Sequence, residues 1–280
     1  MMKPQNEALQ NQNPTKIAIP PGYMLANQAY LEGLEQLIQN LPPFSLLWGH
    51  LDASQQQQLA GHLPFSTSQL AQDLFVISES CKRAIPPFFV EVGATDGISL
   101  SNTYILETRL HWQGIVVEPA HIWHDQIATN RQCIIDKRCV TDQSNQLVEF
   151  METGFSNQRF QRSSPALSSI ATFADSGDWA TEIRKSNSRR YPVKTVSLDD
   201  LLSEHGAPRE IGYLSLDTEG SELMILQGHN FISRKIFIVS VEHNFNRAKR
   251  QAIYQLMSSH GYKRCLPEVS RWDDWYVLPV

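Results

Sequence analysis

The chain has 280 residues, 41% of them hydrophobic, which is enough for one domain with an extension and a sizeable core. Its formal net charge of -5 lacks the basic excess of a broad nucleic-acid footprint, so a small-molecule or neutral partner is expected. The four cysteines, Cys81, Cys133, Cys139 and Cys265, form no CxxC pair and no Cys/His cluster, which excludes a metal motif of that kind, argues against a disulfide framework and fits a reducing compartment.

The opening stretch MMKPQNEALQNQNPTK carries no apolar signal-peptide core, and no apolar run reaches the ~18 residues of a membrane helix. A cytoplasmic protein is therefore expected. Residues 1–22 read as a polar tail. From Ala26 to Asn40, Tyr30, Leu31, Leu34, Leu37 and Ile38 recur at helical spacing, and Pro42-Pro43 ends that helix. A second helix is predicted over Ser54–Leu63 and a third from Ser66–Ser68 to Lys82. Pro86-Pro87 marks a boundary: residues 1–85 form a polar tail and helical extension, and residues 86–280 the main domain.

Beyond that boundary, apolar runs alternate with helical patterns, as in an α/β domain with a mainly parallel sheet. Strands are predicted at Phe88–Gly93, Gly114–Glu118, Cys133–Val140, Gly212–Asp217 and Phe237–Glu242, with an extra one at Leu147–Met151. Helices fall near Ser101–Leu110, His121–Asn130, Ser221–Gln227 and Ala248–His260. Tyr262–Leu266 and Trp275–Leu278 read as two strands joined by a polar turn. Thr153–Tyr191 is rich in Ser, Arg and Asn and is expected to be a long, functional loop.

The sharpest local feature is the run Phe88-Phe89-Val90-Glu91-Val92-Gly93-Ala94-Thr95-Asp96-Gly97, a strand entering a Gly-x-x-x-Gly turn. Such turns let a ligand approach the backbone at the carboxyl end of a sheet. The turn lacks GK[ST] and GxGxxG, so neither a triphosphate nor a dinucleotide pyrophosphate suits it. Its carboxylates, Glu91 and Asp96, favour a cation. Glu118 closes the next strand, where an acid can hold the hydroxyls of a ribose. Asp217 closes another strand, with Glu219 and Glu222 following. His243 follows a fourth and could titrate near neutrality as a general base.

In order and spacing, the stretches VEVGATDG, SNTYILE, WQGIVVEP, YPVKTVSLDDLL, YLSLDTEGSELMILQG and IVSVEHN resemble the FkbM-type methyltransferases over about residues 86–280. The resemblance implies a Rossmann-like, seven-stranded sheet, mainly parallel with an antiparallel last strand, behind the helical N-terminal extension. It implies S-adenosylmethionine as cofactor, with Glu91, Gly93, Asp96, Gly97 and Asn102 around its methionine part, Glu118 on the ribose and Asp142 facing the adenine. Asp217 and Glu219 border the point where methyl donor and acceptor meet. The first loop departs from the family in having Ala94-Thr95 where Asn is frequent.

The expected reaction is O-methylation of a sugar or small natural product, with His243 as first base and Asp217 next. Mg²⁺ held by Asp217, Glu219, Glu242 and His243 is the disfavoured alternative. Phe155, Phe160, Phe173 and Trp179 are expected to line a lid whose Arg184, Lys185, Arg189 and Arg190 steer an anionic acceptor. Two other classes compete: a non-catalytic S-adenosylmethionine-binding assembly partner, and an NAD-dependent oxidoreductase, which the missing GxGxxG disfavours.

Overall fold

In this computed structural model the chain divides between Leu41 and Pro42, and Pro42–Val280 forms one compact unit. The structure describes residues 42–154, 165–174, 181–186 and 188–279. The helix expected at Ala26–Asn40 lies outside the described residues.

Among the described residues the first α-helices are α1 (Pro43–His50), α2 (Ala53–Ala60) and α3 (Gln72–Lys82). Pro43 starts α1, at the first helical position, where its missing N–H costs nothing. Asp52 and Gln55 cap α2 reciprocally. The third helix begins later than predicted because Ser66, Thr67 and Ser68 are spent on the buried Asp73. Leu74, Phe75, Val76 and Ile77 are buried in a core shared with the main sheet, and Phe75 stacks on Trp275 at 4.7 Å.

The main sheet is built from β1 (Phe88–Val92), β2 (Gln113–Val117), β3 (Ile134–Asp136), β8 (Glu210–Leu216), β9 (Lys235–Glu242), β10 (Lys263–Cys265) and β11 (Asp273–Val277). Its order is β10-β11-β9-β8-β1-β2-β3. From β9 to β3 neighbours run parallel, while β11 is antiparallel to both β9 and β10, so the sheet is mixed. The final pair is joined by α10 (Pro267–Ser270) and not by a simple turn.

Both faces are covered, which is why the central strands read as unbroken apolar runs. Val90 and Val92 face α7 (Leu198–Glu204), α8 (Glu222–Gly228) and α9 (Arg247–Ser259), through Leu201, Ile225 and Ile253. Phe89 points the other way, toward Leu74 and toward Ile105 on α4 (Tyr104–Thr108). The strand period of two therefore puts Glu91 on the face of the N-terminal helices.

One predicted strand is split. Cys133–Val140 divides into β3 on the main sheet and β4 (Cys139–Thr141), because Arg138 turns back onto Asp136. β4 joins a second, four-stranded sheet ordered β4-β7-β5-β6, with β5 (Leu147–Thr153), β6 (Ser169–Ile170) and β7 (Ser188–Ser197). The expectation of one sheet missed it. Between β6 and β7 lies α6 (Thr181–Ser186), and α5 (His124–Asn130) follows β2. Among the described residues no helix is long and apolar enough to cross a membrane.

Candidate active site

The carboxyl ends of β1, β2, β8 and β9 open into one cavity of about 490 Å³. Its floor is the turn at Gly93, which has φ +92°. A Cβ there would fall 1.8 Å from the Asp217 carbonyl oxygen, so glycine is what lets β1 and β8 meet at this point. Gly93 N–H and Ala94 N–H both donate to Val117 O, and Asp217 N–H donates to Val92 O at 3.0 Å, fixing the turn between its two neighbouring strands.

Glu118 lines this cavity and is almost fully buried. Thr95 N–H donates to one carboxylate oxygen and Ala120 N–H to the other, each at 2.8 Å. Each oxygen keeps accepting capacity for a further donor. Burial pushes the Glu118 pKa up to about 8; the two amides pull it down, and the charges of Glu152 and Asp217 add to the rise.

The other predicted cofactor residues separate into distinct roles. Glu91 borders the cavity, but its carboxylate accepts from Ser101 Oγ, Asn102 N–H, Thr103 Oγ1 and Arg131, so it anchors the 101–103 loop. Asp96 lies outside the cavity lining and accepts from Ile98 N–H, Ser99 N–H and Ser99 Oγ, closing its own turn. Gly97 packs against Arg131 and Ile127 and supports the turn from behind. Asn102 does reach the cavity. Its Nδ2 donates to Ser215 Oγ at 2.9 Å, while its buried Oδ1 has no partner. Asp142 is exposed, lies beside Gly228 and does not line the cavity; Cys139 and Val140 line it instead.

At the other side of the cavity Asp217, Glu219 and Glu242 each bring an oxygen within 4.8 Å of the others. Burial, then the charge of Asp217, pushes the Glu242 pKa well up. Asp217 is exposed to the cavity yet ringed by protein. That desolvation, then the charge of Glu222, raises its pKa, against a hydrogen bond shared with Glu242. Their desolvation and close approach thus favour the protonated form in this pair. Burial also opposes the charge on Glu222, but Lys249 at 2.9 Å outweighs it and keeps that pKa low. Glu219 is held by the buried Arg184 and by Asn244 Nδ2 at 3.2 Å.

His243 is not positioned to act as a base. Its ring is buried and does not line the cavity. Nδ1 accepts from Phe245 N–H at 3.1 Å, which leaves Nε2 to donate to Asp273 O at 3.1 Å. Burial pushes its pKa down to about 4, against the pull of Asp274. It braces the turn at Asn244 and Phe245, which have φ of 48° and 55°.

From the expected lid, Phe155, Phe160 and Trp179 lie outside the described residues. Phe173 packs against Gly220 and the small sheet and is not part of the lining. Leu167 and Ile170 line the cavity in its place. Nor are the expected steering cations arranged for that task. Arg184 pairs with Glu219, and Arg189 and Arg190 pair with Glu152 and Glu149 on the neighbouring strand. Lys185 is exposed, at the end of α6.

Two contributors had no sequence signal. The buried Arg131 ties Glu91, Glu107, Gly97 O, Ser101 and Thr103 into one network. Gln69 reaches the cavity from the segment before α3. The donor set as a whole is rich in carboxylates and has an orphaned amide oxygen. That set suits a ligand with hydroxyls and positive charge and repels phosphate.

Comparison with known proteins gives a family. A family model described as Methyltransferase FkbM domain matches residues 91–264. No curated protein and no solved structure was found to match.

Proposed function

The chain belongs to the FkbM methyltransferase family, and from that premise we propose that this cavity binds S-adenosylmethionine and serves O-methylation of a small hydroxyl-bearing acceptor, a sugar or natural product. The observation that carries the reading is a single cavity with the Glu118 carboxyl at one end and those of Asp217, Glu219 and Glu242 at the other. When bound, the cofactor supplies an electrophilic methyl group on a sulfonium.

The chain's own residues do the rest. Glu118 accepts the two ribose hydroxyls with the capacity its backbone amides leave over. Gly93 lines the cavity at the turn that its absent Cβ holds against Asp217. Asp96, Gly97 and Glu91 keep the turn and the 101–103 loop in place behind it. Asp217 faces the cavity with a raised pKa and takes the proton from the acceptor hydroxyl, a base role that His243 cannot fill. Glu242 lies beside it, and Glu219, clamped by Arg184 and Asn244, shapes the acceptor side.

Transfer without a divalent cation is part of this reading, because Arg184 offsets Glu219 and Lys249 offsets Glu222. The test is incubation with methyl-labelled cofactor and a panel of sugars and phenols. Labelled product and S-adenosylhomocysteine release are expected with at least one acceptor, and failure to bind either cofactor form would remove the reading.

A further inference from the structure

We infer that the segment Ser66–Asp73, outside the family-matched region, forms a wall of the cofactor site, and that Gln69 contacts the amino-acid end of the bound S-adenosyl ligand. This rests on the methyltransferase reading and extends it to a part of the chain that the matched region does not include.

The segment is tied at several points to elements around the cavity, and Gln69 is its residue in the lining. Asp73 is fully buried and gathers Ser66 Oγ at 2.8 Å, Thr67 N–H at 3.1 Å and Ser68 Oγ, which folds the segment into a tight arch. From that arch Thr67 Oγ1 donates to Ser101 O at 2.8 Å, and Ser68 bridges Leu100 in parallel fashion. At its far end Gln72 Nε2 donates to Asp273 Oδ2 at 2.8 Å, on the strand beside Glu242. The arch therefore spans from the 99–102 loop to the edge of the acid cluster, and Gln69 sits at its middle, facing the cavity.

Gln69 is exposed, and its side chain forms no hydrogen bond with any described residue. Across the loop it is attached to, Asn102 presents a buried Oδ1 that has no partner, although its Nδ2 is fixed on Ser215. A buried carbonyl oxygen left unpaired costs free energy that a ligand donor recovers. The ammonium of an amino acid is such a donor. A primary amide such as Gln69 both donates and accepts, so it can serve the neighbouring carboxylate. Glu118 occupies the ribose end, so the 99–102 loop and the arch are left for the amino-acid end.

Two ligands separate the ends: S-adenosylhomocysteine carries the amino-acid tail, and 5′-methylthioadenosine lacks it. Affinities are measured by calorimetry on the full chain for wild type, Gln69→Ala and Gln69→Glu. Gln69→Ala is expected to weaken S-adenosylhomocysteine about fivefold or more, the scale of one lost hydrogen bond, and to leave 5′-methylthioadenosine within about twofold. Gln69→Glu should weaken the former further by facing a carboxylate with a second negative charge. Unchanged S-adenosylhomocysteine affinity, or equal losses for both ligands, overturns the assignment. A wild-type chain that binds neither ligand overturns the methyltransferase reading itself, and this inference with it.

Discussion

Glu118→Gln separates the roles assigned to the buried carboxyl. In the folded chain the pKa of this group rises from 4.5 to about 8, chiefly through burial. A rise of that size corresponds to about 5 kcal/mol at most between the two protonation states. Because the folded pKa lies above the unfolded one, the stabilisation is fully present below about pH 4.5. It is lost as pH rises through about 8. The empty wild-type protein should therefore show a thermal midpoint that falls between about pH 6 and about pH 9, and the Gln variant a flatter curve. Ligand affinity should run the opposite way. Ribose hydroxyls donate best to the ionised carboxylate, so wild-type affinity for S-adenosylhomocysteine should rise over the same interval. The Gln variant loses the charge and also turns an NH₂ toward either Thr95 N–H or Ala120 N–H. Its affinity should drop by about 10- to 100-fold at the alkaline end, the scale of lost charge-assisted hydrogen bonds. Calorimetry across pH reads this directly. Equal affinity in both proteins, or a wild-type affinity indifferent to pH, would refute the ribose role.

Asp217→Asn should lower turnover by about 100-fold or more, within the range of a lost general base, while S-adenosylhomocysteine still binds. A variant that keeps its turnover would return the search for the base to other groups. His243→Ala should lower the thermal midpoint, because a buried ring bonded through both nitrogens is lost, and the acidic limb of the turnover pH profile should remain. Disappearance of that limb would restore the histidine as base. Gly93→Ala places a Cβ 1.8 Å from the Asp217 carbonyl at a left-handed position, so cofactor binding should be lost; retained binding would contradict the described turn. Thorough chelation with EDTA should leave turnover unchanged, and a loss restored by Mg²⁺ would put a cation among Asp217, Glu219 and Glu242.

Much of the sheet was legible because β1, β8 and β9 are buried on both faces, and their apolar runs have no other use. The small sheet was hidden. One face of β7 is exposed, and the polar residues Arg189 and Arg190 mask its period. It also pairs with β5 across a long stretch of chain, which no local pattern records. At the site, Gly93 and Glu118 announced themselves through strand ends and spacing. Asp96 could not be told from a ligand group, because an Asp at a turn serves its own backbone equally well. His243 misled for a related reason. A sequence reports that an imidazole can titrate, but not that both its nitrogens are committed. Arg131 and Gln69 carried no signal, since Arg131 acts through its ion pair with Glu91, and Gln69 reaches the cavity on a segment that Thr67 ties to Ser101, contacts that exist only after folding.

The measurement that bears most directly on the account is a crystal structure of the chain with S-adenosylhomocysteine. The account predicts the nucleoside seated above Gly93, both ribose hydroxyls on the Glu118 carboxylate, and the sulfur turned toward Asp217. A ligand found elsewhere, or a cavity that stays shut to it, would contradict the account.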